Sequence, residues 1–277
     1  TAATYKTKDH YFGRTLDYEI SYNEMITIAP RNFSFKFLKV DNMNTHYAMI
    51  GVATVVDEYP LYFDAVNEEG LGMAGLNFPE NADYKPVKEG MDNISPFEFI
   101  PWILGQCATV EEAKNLMANI NLVQINFSDS LPLAPLHWII SDREKSITVE
   151  SLKQGLKIYD NPVGILTNNP PFETQMFNLN NYMSLSKNNP TNNFAKGLDL
   201  SIYSRGMGAI GLPGDLSSMS RFVKATFTKM NSCSGDSEMD SISQFFHILG
   251  SVEQQRGCVL LGENQYEVTL RSEEHTS

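Results

Sequence analysis

No hydrophobic run in the chain is long enough to span a bilayer. The longest uncharged apolar stretch, residues 47–56, is about half of what a transmembrane helix requires, so no membrane insertion is expected. Residues 1–10 are polar and carry no apolar h-region of a secretory signal, which points to a cytoplasmic protein. Cysteine is scarce: Cys107, Cys233 and Cys258 are odd in number, without C-x-x-C or metal-type spacing, and fit a reduced compartment rather than a disulfide framework. Clusters of Lys and Arg are also missing. With a net charge of −12 this excludes a phosphate-binding groove, so no nucleic-acid partner is expected and the acidity serves solubility. His10, His46, His137 and His247 stand singly, with no H-E-x-x-H pairing, so neither a metal nor another cofactor is implied. No G-x-S-x-G elbow of a serine hydrolase occurs.

What remains is a chain of 277 residues, 42% hydrophobic, able to bury a large core. Its first third reads as β-structure. Residues 1–7 and 11–16 flank a Lys8-Asp9-His10 turn, 33–40 alternates almost strictly, 47–56 is a buried strand, and 62–67 with 71–77 forms a hairpin over Glu68-Glu69-Gly70. Residues 97–106 have helical spacing. Thr109-Val110-Glu111-Glu112 is a capping box opening a second helix to about Ile120. Further strands are predicted at 137–141, 146–151, 156–159 and 164–167. Later helices are predicted at 171–183, 218–230 and 241–250, the last opened by Ser241-Ile242-Ser243-Gln244. Strands in runs and helices in pairs predict an α+β layered sandwich rather than βαβ units, in one domain.

Some motifs are chance matches. Gly206-Met207-Gly208-Ala209-Ile210-Gly211 fits G-x-G-x-x-G, but no helix follows, since Leu212-Pro213-Gly214-Asp215 comes next. The N-x-[ST] sites at Asn32, Asn93 and Asn126 carry no meaning in a cytosolic chain. His137, preceding Trp138 in an apolar strand, reads as a satisfied core residue.

Four segments are harder to explain as packing: Phe12-Gly13-Arg14-Thr15-Leu16-Asp17, Gly75-Leu76-Asn77-Phe78-Pro79, Leu166-Thr167-Asn168-Asn169-Pro170, and Gly211-Leu212-Pro213-Gly214-Asp215 continuing to Ser220-Arg221-Phe222. Each puts a hydrogen-bonding side chain at a strand end or beside a Gly/Pro turn, where scaffolds present functional groups. Singly, each has a bland reading: Arg14 with Asp17 as a surface ion pair, Asn77 or Asn168 as a turn former. The chain also opens on Thr1-Ala2-Ala3-Thr4 without an initiator Met, which suggests a processed terminus used as chemistry. Together with Leu136-His137-Trp138-Ile139-Ile140-Ser141-Asp142, these segments resemble the choloylglycine hydrolases, specifically bile salt hydrolases, of the N-terminal nucleophile (Ntn) hydrolase superfamily. The resemblance runs from Thr1 to about Thr269.

The resemblance implies a four-layer αββα sandwich of antiparallel sheets and a cysteine nucleophile, expected immediately before Thr1, whose own α-amine serves as base. Such an amine titrates near pH 8, and a thiolate is a strong nucleophile. By resemblance, Arg14 sits beside the sulfur and favours the thiolate, and Asp17 orients the amine. Asn77 helps form the oxyanion hole, Asn168 positions amine and substrate, and Arg221 supports the site electrostatically. The substrates implied are bile acids conjugated to glycine or taurine. Walls for the steroid are expected near 16–22, 59–63 and 128–134, at Leu16, Tyr22, Phe63, Leu131, Leu133 and Ala134. A homotetramer is likewise implied.

Three alternatives stay open. Penicillin V acylase shares nucleophile and fold, although asparagine rather than tyrosine in Gly75-Leu76-Asn77-Phe78-Pro79 favours the bile salt side. A chain without the cysteine could be a non-catalytic binder of bile salts, or Thr1 itself could be the nucleophile. At the far end, Arg271-Ser272-Glu273-Glu274-His275-Thr276-Ser277 matches one reading frame of a common sequencing-library adapter. The expectation is a single domain over 1–270, C-terminally truncated, and a non-native tail over 271–277; a natural polar tail is the alternative.

Overall fold

Strands apolar on both faces must be covered on both, and the first hairpin is of that kind: β1 (Ala2–Lys6) is buried over its first four residues and β2 (His10–Tyr18) over its first seven. The computed structural model describes residues 1–276. After β2 come β3 (Met25–Ala29), β4 (Met49–Val56), β5 (Tyr59–Asn67), β6 (Gly72–Asn77) and β7 (Asp92–Ile94), then helices α1 (Phe99–Leu104) and α2 (Val110–Leu116). The middle of the chain forms β8 (Ile120–Leu122), β9 (Leu136–Ser141), β10 (Ser146–Leu152), β11 (Gly155–Asp160) and β12 (Ile165–Leu166). Helices α3 (Phe172–Asn178), α4 (Ser218–Asn231) and α5 (Glu238–Gly250) precede β13 (Leu260–Gly262), β14 (Gln265–Tyr266) and β15 (Val268–Thr276).

Two antiparallel sheets carry the architecture, one of four strands in the order β12-β1-β2-β15 and one of seven in the order β11-β10-β9-β6-β5-β4-β3. Alternation assigns the layers. Met73 of β6 and Trp138 and Ile140 of β9 face outward to Phe99, Ile103 and Val110 of the first helix pair. Ala74, Leu76 and Ile139 face inward, against Ala2 and Phe12 of the other sheet. Tyr5 and Tyr11 lie on the far side of that sheet, where both rings meet Phe245 of α5. Helices, sheet, sheet, helices is the αββα order expected. Among the described residues no helix is long and apolar enough to cross a membrane.

Local chemistry explains most boundaries. The β5–β6 hairpin closes because Gly70 takes φ +86° and the Asn67 carboxamide oxygen accepts from the Glu69 and Leu71 amides. Thr109 Oγ1 caps α2 by accepting from Glu112 N, but the Glu112 carboxylate reaches back to Ala108 N rather than to the cap residue. That second helix ends at Leu116 and tightens into a 3-10 turn over Met117–Asn119, so the helical stretch stops about where predicted, before β8 pairs in parallel with β7. Helix α5 starts earlier than predicted. Its capping box is Ser237 with Asp240, and Ser241 instead lies in the first turn, bonded to Thr7.

Residues 33–40 do not form the predicted strand. Phe35 and Phe37 are buried as the alternation requires, but the backbone finds other partners: Phe35 exchanges two bonds with Met43, and Leu38 N donates to Glu98 Oε1 at 2.6 Å. Period-two burial reports an extended, half-buried segment; whether it joins a ladder depends on where its backbone groups bond, and here they bond to a local turn and to Glu98.

Candidate active site

The four segments singled out in the sequence come together at one end of the two sheets. Thr1 enters β1, Arg14 and Asp17 lie late in β2, Asn77 ends β6, Asn168 follows β12, and Arg221 is in the first turn of α4. All six border one cavity of about 720 Å³. Strand ends fix them: β6 is central in the large sheet, and β1 and β2 are central in the small one, so their termini open onto the same rim.

Arg14 is 4% exposed and held by main-chain oxygens, with Nη1 donating to Gly75 O at 2.8 Å and Phe63 O at 3.3 Å. Asp17 collects donors on both oxygens. Oδ1 accepts from Thr269 Oγ1 at 2.5 Å; Oδ2 accepts from Thr15 Oγ1 at 3.0 Å and from the Thr1 ammonium at 3.4 Å. Burial pushes the Asp17 carboxyl up, but the ammonium, the Thr269 hydroxyl and Arg221 outweigh it and hold the group below its ordinary value. Burial acts the other way on an amine at the Thr1 nitrogen. Desolvation, opposed by Asp17 and reinforced by Arg221 and Arg14, lowers its pKa to about 5.

Arg221 ties the site together. Its Nε donates to Leu216 O at 3.0 Å, Nη1 to Thr1 Oγ1 at 2.6 Å and Nη2 to Asn168 Oδ1 at 2.8 Å, and Nη1 stands 3.8 Å from Asp17 Oδ2. The Asn168 carboxamide is thereby oriented at both ends, because its Nδ2 donates to Asn77 O at 2.8 Å. The α4 start that delivers Arg221 is set by Asp215, which accepts from Ser217 N and Ser220 Oγ; hydrogen bonding by the Ser217 and Ser220 hydroxyls and the Ser217 amide lowers its carboxyl to about 2.

None of the residues expected to line a steroid pocket borders this cavity. Leu16 is buried in β2. Tyr22 and Phe63 pack with Tyr18, ring centroids 5.3–6.3 Å apart, and Tyr18 itself borders the cavity. Leu131, Leu133 and Ala134 belong to the loop before β9, tied by Leu131 N to Ser128 O, Leu133 N to Asn126 Oδ1, and Tyr84 OH to Ala134 O. His137 is a satisfied core residue, fully buried between Glu150 Oε1 at 3.0 Å and Thr167 O at 2.8 Å, and it anchors the turn before Asn168. Sequence reasoning missed Thr269, which bonds Asp17, and Glu267, Val259 and Leu261 at the cavity. Their segment carries no motif, only an ordinary strand-like pattern.

Two face-to-face antiparallel sheets between helix layers, with the cavity at the ends of their central strands, define the N-terminal nucleophile hydrolase fold. The profile of the linear amide C–N hydrolases, choloylglycine hydrolase family, matches residues 1–272, and the chain belongs to that family. A bile salt hydrolase/transferase from Lactiplantibacillus plantarum is 59% identical over 272 residues, covering 98% of this chain and 84% of that protein. A crystal structure of an arginine-to-leucine variant of conjugated bile acid hydrolase from Clostridium perfringens superposes with a TM-score of 0.89 at 36% identity, over 99% of this chain and 85% of that one. Penicillin V acylase from Agrobacterium tumefaciens shares the fold, with a TM-score of 0.72 at 19% identity over 97% of this chain and 76% of that one.

Proposed function

We propose that the chain is a bile salt hydrolase, cleaving the amide between a steroid acyl group and glycine or taurine, with a cysteine joined to Thr1 as nucleophile. The observation that carries this reading is the convergence of Arg14, Asp17, Asn77, Asn168 and Arg221 on Thr1 in one cavity. The β1/β2 register supports the place of the nucleophile. Ala2 faces Arg14, and Thr15 N bonds Thr1 O, so the residue before Thr1 falls opposite Leu16. Its side chain then shares a face with Ala2 and Arg14, whereas the Thr1 hydroxyl is on the opposite face with Arg221. That placement favours a cysteine beside Arg14 over Thr1 as nucleophile.

In this reading the Arg14 charge stabilises the thiolate, and the cysteine α-amine, oriented by Asp17, takes the thiol proton and later gives it to the departing amine. The Asn77 carboxamide helps stabilise the oxyanion, a role typically worth about a hundred- to thousandfold in rate, and Asn168 positions the amine and the substrate. Release of glycine or taurine leaves an acyl thioester that water hydrolyses. Leu16, Tyr22, Phe63, Leu131, Leu133 and Ala134 extend the steroid site outward from Tyr18. The enzyme works in the cytoplasm as a homotetramer.

We further hold residues 1–270 to be one domain and residues 271–277 a non-native tail. In support, the Glu273 carboxyl is buried against Asp64, two acids in one desolvated place, which raises the Glu273 carboxyl to about 10 and costs stability once it ionises. Release of taurine from taurocholate against phenoxyacetate from penicillin V, by the chain with cysteine joined to Thr1, tests the substrate. Faster penicillin turnover overturns the assignment.

A further inference from the structure

A second cavity, of about 670 Å³, lies at the end of the sandwich away from Thr1. Thr4 and Lys6 border it from the far half of β1, and Lys229 borders it from the last turn of α4, whose first turn carries Arg221. At a strand rise of about 3.3 Å per residue, Thr1 and Lys6 stand roughly 17 Å apart, so the two cavities are separate. Lys229 Nζ donates to Thr4 Oγ1 at 2.8 Å and to Val163 O at 2.6 Å, both neutral groups. Glycine at 164 makes room for it, since a Cβ on Gly164 would stand 2.4 Å from that nitrogen. Burial pushes the Lys229 ammonium down to about 8, and among the described residues no carboxylate holds it up.

The acids around this cavity are already matched. Glu144 pairs with Lys6 at 3.3 Å, Asp160 with Lys114 at 3.5 Å, and Glu111 with Lys145. The Asp142 carboxylate accepts from the Val110, Glu144 and Lys145 amides. Arg143 also borders the cavity, from the β9–β10 turn, and its Nη2 donates to Lys8 O, a neutral carbonyl. Among the described residues the bordering cations that form no ion pair are therefore Arg143 and Lys229. The field they leave is positive: buried His10, at the same cavity, is lowered to about 4 by desolvation and then by Lys229, with Lys6 and Arg143 adding to it against Asp142. An ammonium offers three donors, of which Lys229 uses two, and a guanidinium offers five. Two unmatched cations on different elements of one cavity fit a ligand with two negative charges and several acceptor oxygens. We infer that this cavity binds a phosphate group, free or on a small phosphomonoester, with Lys229 and Arg143 as its charged donors. Glu111, Glu144 and Asp160 repel a longer polyanion, so the ligand is small. No Lys/Arg cluster marks the site in the sequence, because Arg143 and Lys229 lie on distant segments that the fold brings together.

Calorimetric titration of the 277-residue chain with inorganic phosphate at about pH 7, against chloride at equal ionic strength, tests the site without any turnover. A saturable isotherm is expected. Lys229→Met should weaken it about tenfold or more and Arg143→Gln about fivefold or more, each removing a charge-assisted bond, while Arg221→Met, in the catalytic cavity, should leave it within about twofold. Glycerol phosphate titrated in parallel separates the free ion from a phosphomonoester, the tighter binder naming the ligand. Competitive acetylation read by peptide mass spectrometry needs no substitution: phosphate should slow labelling of Lys229 several-fold and leave that of exposed Lys157 unchanged. Phosphate that binds no better than chloride, binding that survives Lys229→Met or Arg143→Gln, binding lost with Arg221→Met instead, or labelling of Lys229 that phosphate does not slow overturns the inference.

Discussion

Replacing Arg221 by lysine keeps the charge and removes the fork. The guanidinium reaches Thr1 Oγ1 and Asn168 Oδ1 from two different nitrogens and Leu216 O from a third, a set that one ammonium cannot reproduce. Arg221→Met also removes the charge 3.8 Å from Asp17 Oδ2, an attraction of about 4 kcal/mol at an effective dielectric near 20. Desolvation of the buried guanidinium offsets part of this. Asp17 also keeps Thr15 and Thr269, so a loss of about 3 kcal/mol in stability is expected, at the low end for a broken buried pair. The catalytic effect is expected through Asn168. Freed at Oδ1, its carboxamide can rotate, and kcat for taurine release should fall about a hundredfold or more in both variants. Urea unfolding measures the first quantity and taurine release the second. A double-mutant cycle tests the route, because Arg221→Lys added to Asn168→Ala should cost far less than the two single losses combined. Wild-type kcat in Arg221→Lys, or full additivity, refutes the reasoning.

Asp17 has a folded pKa below its ordinary 3.8, so its stabilisation is present above that value and is lost as pH falls through the folded one. Asp17→Asn should therefore show a shallower loss of Tm than the parent on acidification below about pH 4. Glu273 runs the other way: burial and Asp64 raise its carboxyl to about 10, so stability is fully present below the ordinary 4.5 and is lost as pH rises toward 10. Glu273→Leu should raise Tm at pH 8 more than at pH 5, measured by thermal unfolding. Phe35→Ala should cost about 3–5 kcal/mol in urea unfolding despite lying outside any strand ladder, because the ring is fully buried in the outer core.

The layered fold was legible in its runs of strands and pairs of helices. Arg14, Asp17, Asn77, Asn168 and Arg221 each have a bland reading alone, and were singled out because their segments, taken together, resemble one family; the structure gathers them around one cavity. Which strands run side by side was less readable. Phe33, Phe35 and Phe37 alternate like a strand and lie in the core without one, since burial periodicity and backbone pairing are separate properties. The α5 start moved to Ser237 because two overlapping cap signals, Ser237-x-x-Asp240 and Ser241-x-x-Gln244, compete, and only the first has its serine outside the helix. Val259 and Leu261 were invisible for a plainer reason. An apolar residue in a short strand looks like core until the structure shows that no core receives it.

The central claim is that a cysteine joined to Thr1 attacks the amide of a conjugated bile acid. Intact-mass and peptide mass spectrometry of that chain, quenched in acid during taurocholate turnover, reads it directly. The account predicts a cholyl thioester confined to the N-terminal peptide, formed as taurine is released and absent when that cysteine is replaced by alanine. Taurine release that persists in the alanine variant, or an acyl group carried on Thr1 or on Cys258, would contradict it.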